Sequence, residues 1–268
     1  MKKLLNSIHI LGLLTVIAMV SGCGGDSDSD GGTQWVTYTG STSMATIDET
    51  NASVLTLGTY SNLDEMRNSQ ENLSDLMRVL DSLVADNYTE CGGSYSERPE
   101  SNNSVTVVFS DYCIMTGGDE IVLDGSLNVS YEVQRTVLKM SNFSLSVNGV
   151  AYTVSTTFVM EGNSVSIDFI GIDGKTYRIE NLVVQNSSQV PGGVDIVSGR
   201  FYHPDHGYVD IRSDSPIVSE TCDNMLRPTQ GKVIVDGANG TDASVTYLVC
   251  AEYTVCTNQD TMCNTYQW

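Results

Sequence analysis

The chain has 268 residues, with 33 acidic side chains against 13 basic ones and a formal charge of −20 at neutral pH. A field of that sign excludes nucleic acid and anionic lipid headgroups as electrostatic partners, and favours cations, basic partners or simple solubility. Apolar residues make up 40% of the chain, enough for the core of one large domain.

Residues 1–22 read as a leader. Lys2 and Lys3 give it a positive start, and Leu4 to Met19 form an apolar run too short and too near the terminus to be read first as a spanning helix. Val20-Ser21-Gly22-Cys23 follows: an aliphatic residue, two small residues and a cysteine. The segment resembles the lipobox of bacterial lipoproteins. That resemblance implies cleavage before Cys23, a diacylglycerol on its sulfur, palmitate-type acylation and attachment to the membrane through that lipid. Gly24, where a retaining aspartate would stand, points to the outer membrane of a two-membrane envelope. Two or three acyl chains bury their methylenes at about 0.8 kcal/mol each, which makes a stable anchor. The alternative is an ordinary secretory leader cut elsewhere.

Residues 23–34 hold no apolar side chain after the cysteine and read as a flexible tether. Within them Asp26-Ser27-Asp28-Ser29-Asp30-Gly31 matches the first half of an EF-hand loop, but position twelve falls on Thr37, so the bidentate carboxylate is missing and the tether reading is preferred.

Residues 35–90 are expected to be an N-terminal helical segment packed on a sheet. A short helix is read over 47–58, starting at Asp48. A longer amphipathic one is read over 61–86, where Leu73, Leu76, Met77, Leu80, Leu83 and Val84 share a face. Acids, not lysines, occupy its polar side, which argues for packing on protein rather than on lipid.

Residues 91–268 are expected to form an antiparallel β domain. Period-two alternation opens at 104–109 and continues through 120–132, 136–147, 150–160, 164–172, 176–185, 193–202, 207–213, 231–236 and 243–250. Asn148-Gly149, Glu161-Gly162-Asn163, Asp173-Gly174, Pro191-Gly192-Gly193, Pro204-Asp205-His206-Gly207 and Asn239-Gly240 separate them as turns. The fold class is therefore mainly β: a long up-and-down meander curled into a half-barrel or barrel, or folded into a sandwich, with one packed N-terminal amphipathic helix. A curved sheet closed by helices resembles the lipoprotein-sorting carriers of the bacterial envelope, in architecture only. The Cys91-Gly92-Gly93 run, the strand ending in Cys113 and the YHPDHGYV hairpin resemble features of uncharacterised lipoproteins of aquatic bacteria.

Cysteine usage agrees with export. With Cys23 lipidated, six remain, an even number. Cys91 stands alone with Cys113 in the first half and is expected to pair with it. Cys222 with Cys250 and Cys256 with Cys263 is the preferred pairing of the other four, although spacing leaves further pairings open. Zinc is the weaker alternative, since no C-x-x-C occurs.

Chemistry-bearing clusters are few. His203 and His206 flank Pro204-Asp205, and two imidazoles with a carboxylate could hold a metal or exchange a proton. Pro204, Asp205 and Gly207 are also turn residues, so a hairpin explains most of the motif and no metal is assigned. The aromatic ending Tyr266-Gln267-Trp268 resembles the last strand of outer-membrane barrels, but Asp260 and Asn264 break the alternation. No G-x-S-x-G, H-E-x-x-H, phosphate loop or dinucleotide fingerprint is present. The expectation is a lipid-anchored envelope protein, non-catalytic and without cofactor, with a binding or structural role and an unknown protein or small-molecule partner. The alternatives are a carrier of a lipophilic ligand between sheet and helix, and an uncharacterised hydrolase.

Overall fold

The computed structural model describes residues 35–57, 88–101, 103–132, 135–171, 173–222, 225–250 and 252–267. Among the described residues thirteen strands follow one another and pair in sequence order into one antiparallel sheet. They are β1 (Thr89–Ser101), β2 (Ser104–Thr116), β3 (Asp119–Glu132), β4 (Arg135–Val147), β5 (Val150–Glu161), β6 (Ser164–Ile170) and β7 (Thr176–Asn186). The sheet continues through β8 (Val194–His203), β9 (Gly207–Cys222), β10 (Met225–Asp236), β11 (Asp242–Val249), β12 (Glu252–Thr257) and β13 (Met262–Gln267).

The meander is as expected, and each turn signal falls between strands. At the tightest, Asn148 and Gly149 take φ of 50° and 83°, the left-handed pair that a two-residue hairpin demands. Of the shapes that the sequence left open, the closed barrel and the sandwich are not found. β1 and β13 lie at opposite ends of the strand order, so the sheet is open, neither a barrel nor a two-sheet sandwich. Three strands were not anticipated. β1, TECGGSYSERPES, is exposed throughout and has no apolar alternation to read. β12 and β13 are six residues each and split the stretch after Val249.

One face of the sheet carries the core. Phe109, Ile114, Ile121, Leu123, Met140, Phe143 and Leu145 form its first cluster, and Ile167, Phe169, Phe201, Val209, Ile211, Val233 and Val245 belong to its second. Phe158 and Met160 of β5 pack against both clusters and join them into one strip.

Bulges keep this strip on one face while bending the strands. Apolar residues are three apart, not two, at Phe109–Tyr112, Met140–Phe143 and Ile179–Leu182, and the register slips at each place. The residue before the second apolar side chain is Asp111, Asn142 or Asn181, with φ of 46°, 46° and 52°. Aspartate and asparagine are the side-chain-bearing residues that best tolerate this left-handed conformation. A bulge leaves an amide without its ladder partner, and a neighbouring strand supplies an acceptor. Asn142 N–H donates to Ser155 Oγ and Asn181 N–H to Ser166 Oγ, each at 2.9 Å. Gly125 sits between the bulges of β2 and β4; a Cβ there would lie 2.3 Å from the Asn142 carbonyl oxygen.

Ahead of the sheet, residues 35–47, which precede the helices read from the sequence, run as a strap without regular secondary structure. The strap holds to successive strands. Val36 O accepts from Thr157 Oγ1 of β5, Ser41 N–H donates to Pro204 O, Met44 bridges Tyr208 of β9, and Ala45 O accepts from Ala238 N–H after β10. A helix, α1 (Ala52–Leu57), follows. It is shorter than the helix read over 47–58 and begins four residues after Asp48, which ties down the turn ahead of it: the Asp48 carboxylate accepts from the amides of Thr50 and Asn51, while Asn51 Oδ1 accepts the Asp48 amide at 2.9 Å. Six residues cannot hold a helix alone; Ala52 and Leu55 are buried on the core cluster that includes Val233, Val245 and Val255. The expected amphipathic helix over 61–86 lies outside the described residues.

Candidate functional site

The histidine motif forms a turn. β8 ends at His203 and β9 starts at Gly207, and the two residues are register partners across the hairpin. Gly207 has φ of 95°, and a Cβ there would lie 2.1 Å from Ser43 O of the strap, so only glycine fits. His203 is buried, edge-on to the Tyr177 ring at 5.3 Å, with the His206 ring 4.6 Å away. The Asp205 amide donates to His203 Nδ1 at 3.2 Å, which places the proton of the neutral ring on Nε2. The Asp205 carboxylate turns away to Lys175 Nζ, which holds its pKa below the usual range. Burial, then the neighbouring His206, push the His203 imidazole below its ordinary pKa. The residues named from sequence are therefore neighbours, but the carboxylate does not converge with the imidazoles. Among the described residues no three His, Cys, Asp or Glu side chains are grouped to hold a metal ion.

Beside the turn runs a polar ladder that sequence reading missed. Register places Asp168 opposite Arg178, Arg178 opposite Tyr202 and Tyr202 opposite Tyr208, while Glu180, Arg200 and Asp210 form a parallel row. Arg178 grips Asp168 through Nε at 2.6 Å and a terminal nitrogen at 2.8 Å. The strap closes over this pair: Tyr38 N–H donates to the same carboxylate at 2.9 Å, and the Arg178 guanidinium lies 5.4 Å from the Tyr38 ring centre. The Tyr38 hydroxyl donates to Ser41 O at 2.7 Å, and burial pushes its pKa up to about 12. Tyr202 donates to Glu180, Arg200 donates to Asp210, and the Arg200 guanidinium stacks 4.1 Å from the Tyr208 ring. These charges satisfy one another across four strands. Their alternation was legible; their partners depend on register.

A groove of about 230 Å³ lies between α1 and the β12–β13 hairpin. Glu49 and Ser53 stand on one side and Met262, Asn264 and Tyr266 on the other. Most of these groups are polar, and the groove is not an apolar cavity of several hundred Å³ such as a lipophilic ligand fills.

Three disulfides join Cys91 to Cys113, Cys222 to Cys250 and Cys256 to Cys263, with Cα separations of 5.0, 5.4 and 4.1 Å. This is the expected pairing. The first ties β1 to β2, the second the far end of β9 to the turn after β11, and the third β12 to β13. Cys23 and the aspartates at 26, 28 and 30 lie outside the described residues, and Thr37 is an exposed position of the strap. No described helix is long and apolar enough to cross a membrane. Comparison of the chain with models of protein families, with curated proteins and with solved structures finds no match.

Proposed function

We propose that this chain is a lipid-anchored protein of the bacterial envelope, attached through Cys23 to the outer membrane, whose open β-sheet serves a non-catalytic binding or structural role. The observation that carries the reading is the order of features at the start of the chain: Lys2-Lys3, an apolar run, then Val20-Ser21-Gly22-Cys23. The three disulfides support it. Every cysteine other than Cys23 is used in a pair, as expected of an oxidising compartment. The bulged strands support a sheet curled in the manner of a half-barrel, with its polar ladder locked internally rather than turned toward a substrate. Radiolabelled palmitate fed to cells expressing the chain tests the anchor. Label is expected on the wild type and lost in Cys23→Ala, which should leave the membrane fraction or persist as precursor. A wild-type chain that takes up no label ends the reading.

A further inference from the structure

The two margins of the sheet are built differently. Among the described residues β1 and β13 each pair with one neighbour only. β1 carries Glu90, Glu97, Arg98, Pro99 and Glu100, and its register against β2 slips at three places. Charge, proline and bulges are the devices that stop an edge strand from accepting another chain. β13 has none of them. Its sequence, MCNTYQ, lacks charge and proline, and six consecutive residues pair with β12 without a slip.

The geometry of one residue pair tells which backbone groups β13 turns outward. Cys256 and Cys263 are register partners with Cα atoms 4.1 Å apart. That is the narrow spacing of a non-hydrogen-bonded antiparallel pair; a hydrogen-bonded pair stands at about 5.5 Å. The N–H and C=O of Cys263 therefore point away from β12, and by the two-residue period so do those of Thr265 and Gln267. The hydroxyls of Thr254 and Thr265, 3.0 Å apart across the next pair of this phase, agree. β13 is thus an edge without a register slip, covalently held to its neighbour, and the outward backbone groups of three of its residues have no strand partner among the described residues.

The α1 groove opens beside that edge. Met262, Asn264 and Tyr266 line it from β13, and its lining also includes Glu49, in the turn ahead of α1, and Ser53 of α1. A strand added to β13 would run beside this groove, whose lining includes Glu49. The charge of −20 draws a basic segment and repels both an acidic one and a second copy of the chain.

We infer that β13 is a docking edge for an extended, positively charged peptide segment of a partner protein, which adds to the sheet as a further strand and sets a basic side chain against Glu49. Backbone hydrogen bonds to Cys263, Thr265 and Gln267 hold the segment, and the groove selects its alternate side chains. The inference does not depend on lipidation of Cys23.

Two fluorescein-labelled octapeptides test it, one alternating lysine with threonine and the other glutamate with threonine, titrated against the full-length, disulfide-intact protein. The lysine peptide is expected to bind at least tenfold tighter. Thr265→Pro removes one outward N–H without touching the β12 ladder, and should weaken that binding at least fivefold with an unchanged circular dichroism spectrum. Glu49→Lys should narrow the preference between the peptides at least fivefold. Equal binding of both peptides overturns the inference. So does lysine-peptide binding indifferent to both variants, which is general attraction to an acidic surface. Self-association that Thr265→Pro abolishes would assign the edge to a second copy and overturn it as well. Should Thr265→Pro fail to fold, an unchanged preference in Glu49→Lys overturns it alone.

Discussion

Arg178 and Asp168 face each other across β7 and β6 and share two hydrogen bonds, and the Tyr38 amide adds a third to the same carboxylate. The strap is therefore fastened to the sheet through an ion pair. Asp168→Asn keeps the shape but leaves the guanidinium without its counter-charge. Breaking a buried pair costs about 3–5 kcal/mol. The Arg178 side chain is 29% exposed against 8% for Asp168, so the loss should fall at or just below the bottom of that range. Urea unfolding should show a loss of about 2–3 kcal/mol for Asp168→Asn. Hydrogen exchange at Tyr38 should quicken with it. Arg178→Met on the same background should recover part of the stability, because the unpaired charge is then gone.

His203 predicts an acid-sensitive hairpin. Its folded-state pKa is lowered, first by burial and then by His206. The unfolded chain therefore binds a proton more readily than the folded one, with an unfolded pKa of about 6.5. The sign follows: stability is full above about pH 7, falls as pH drops through 6.5, and levels only below the folded-state pKa. The groups facing the ring are Tyr177 of β7, Asp173 and Lys175 of the preceding turn, and Asp205 and His206 beside it. Thermal melts from pH 7.5 to 5.0 should show a steeper fall for the wild type than for His203→Gln. Parallel curves would assign the acid sensitivity elsewhere.

The bulge residues invert ordinary strand preferences. Asn142 has φ of 46°, so Asn142→Val, a gain on β propensity, should instead cost about 1–3 kcal/mol. Asn142→Gly should stay within about 0.5 kcal/mol. Gly125→Ala should cost more than about 2 kcal/mol, because the new methyl meets the Asn142 carbonyl oxygen and the backbone is left-handed there, with φ of 100°. Denaturant midpoints of the three variants check the order.

The Cys91–Cys113 bridge closes a loop of 22 residues. By chain entropy it contributes about 3 kcal/mol. It also holds a strand that is exposed along its whole length. The Cys91→Ser, Cys113→Ser double variant should lose about that much stability, with amide protection lost first in β1. Peptide mapping of the wild type should find Cys91 linked to Cys113 and no free thiol among the six.

The elements legible in the sequence were those whose own residues carry the signal. Alternation from Val105 onward marks half-buried strands, because one face of each must leave water while the other stays in it. Asn148-Gly149 and Pro204 to Gly207 mark turns, because their backbone conformations admit few other residues. An even count of cysteines and their grouping along the chain pointed to Cys91 with Cys113, while the pairing among Cys222, Cys250, Cys256 and Cys263 stayed open until the structure joined them. Even the bulges had a local signature, an Asp or Asn just ahead of the second of two apolar residues three apart, although alternation alone conceals it.

What only the tertiary structure decided was everything that depends on register and on long-range pairing. Asp168 and Arg178 are polar-face residues like many others until β6 and β7 align them. Tyr38 is 130 residues from the carboxylate it reaches, and no local pattern encodes that contact. β1 and β13 are strands because β2 and β12 offer them backbone partners, not because their side chains alternate. The sheet stays open for the same reason. Closure depends on whether the first and last strands meet, a property of curvature summed over thirteen strands and absent from any one of them.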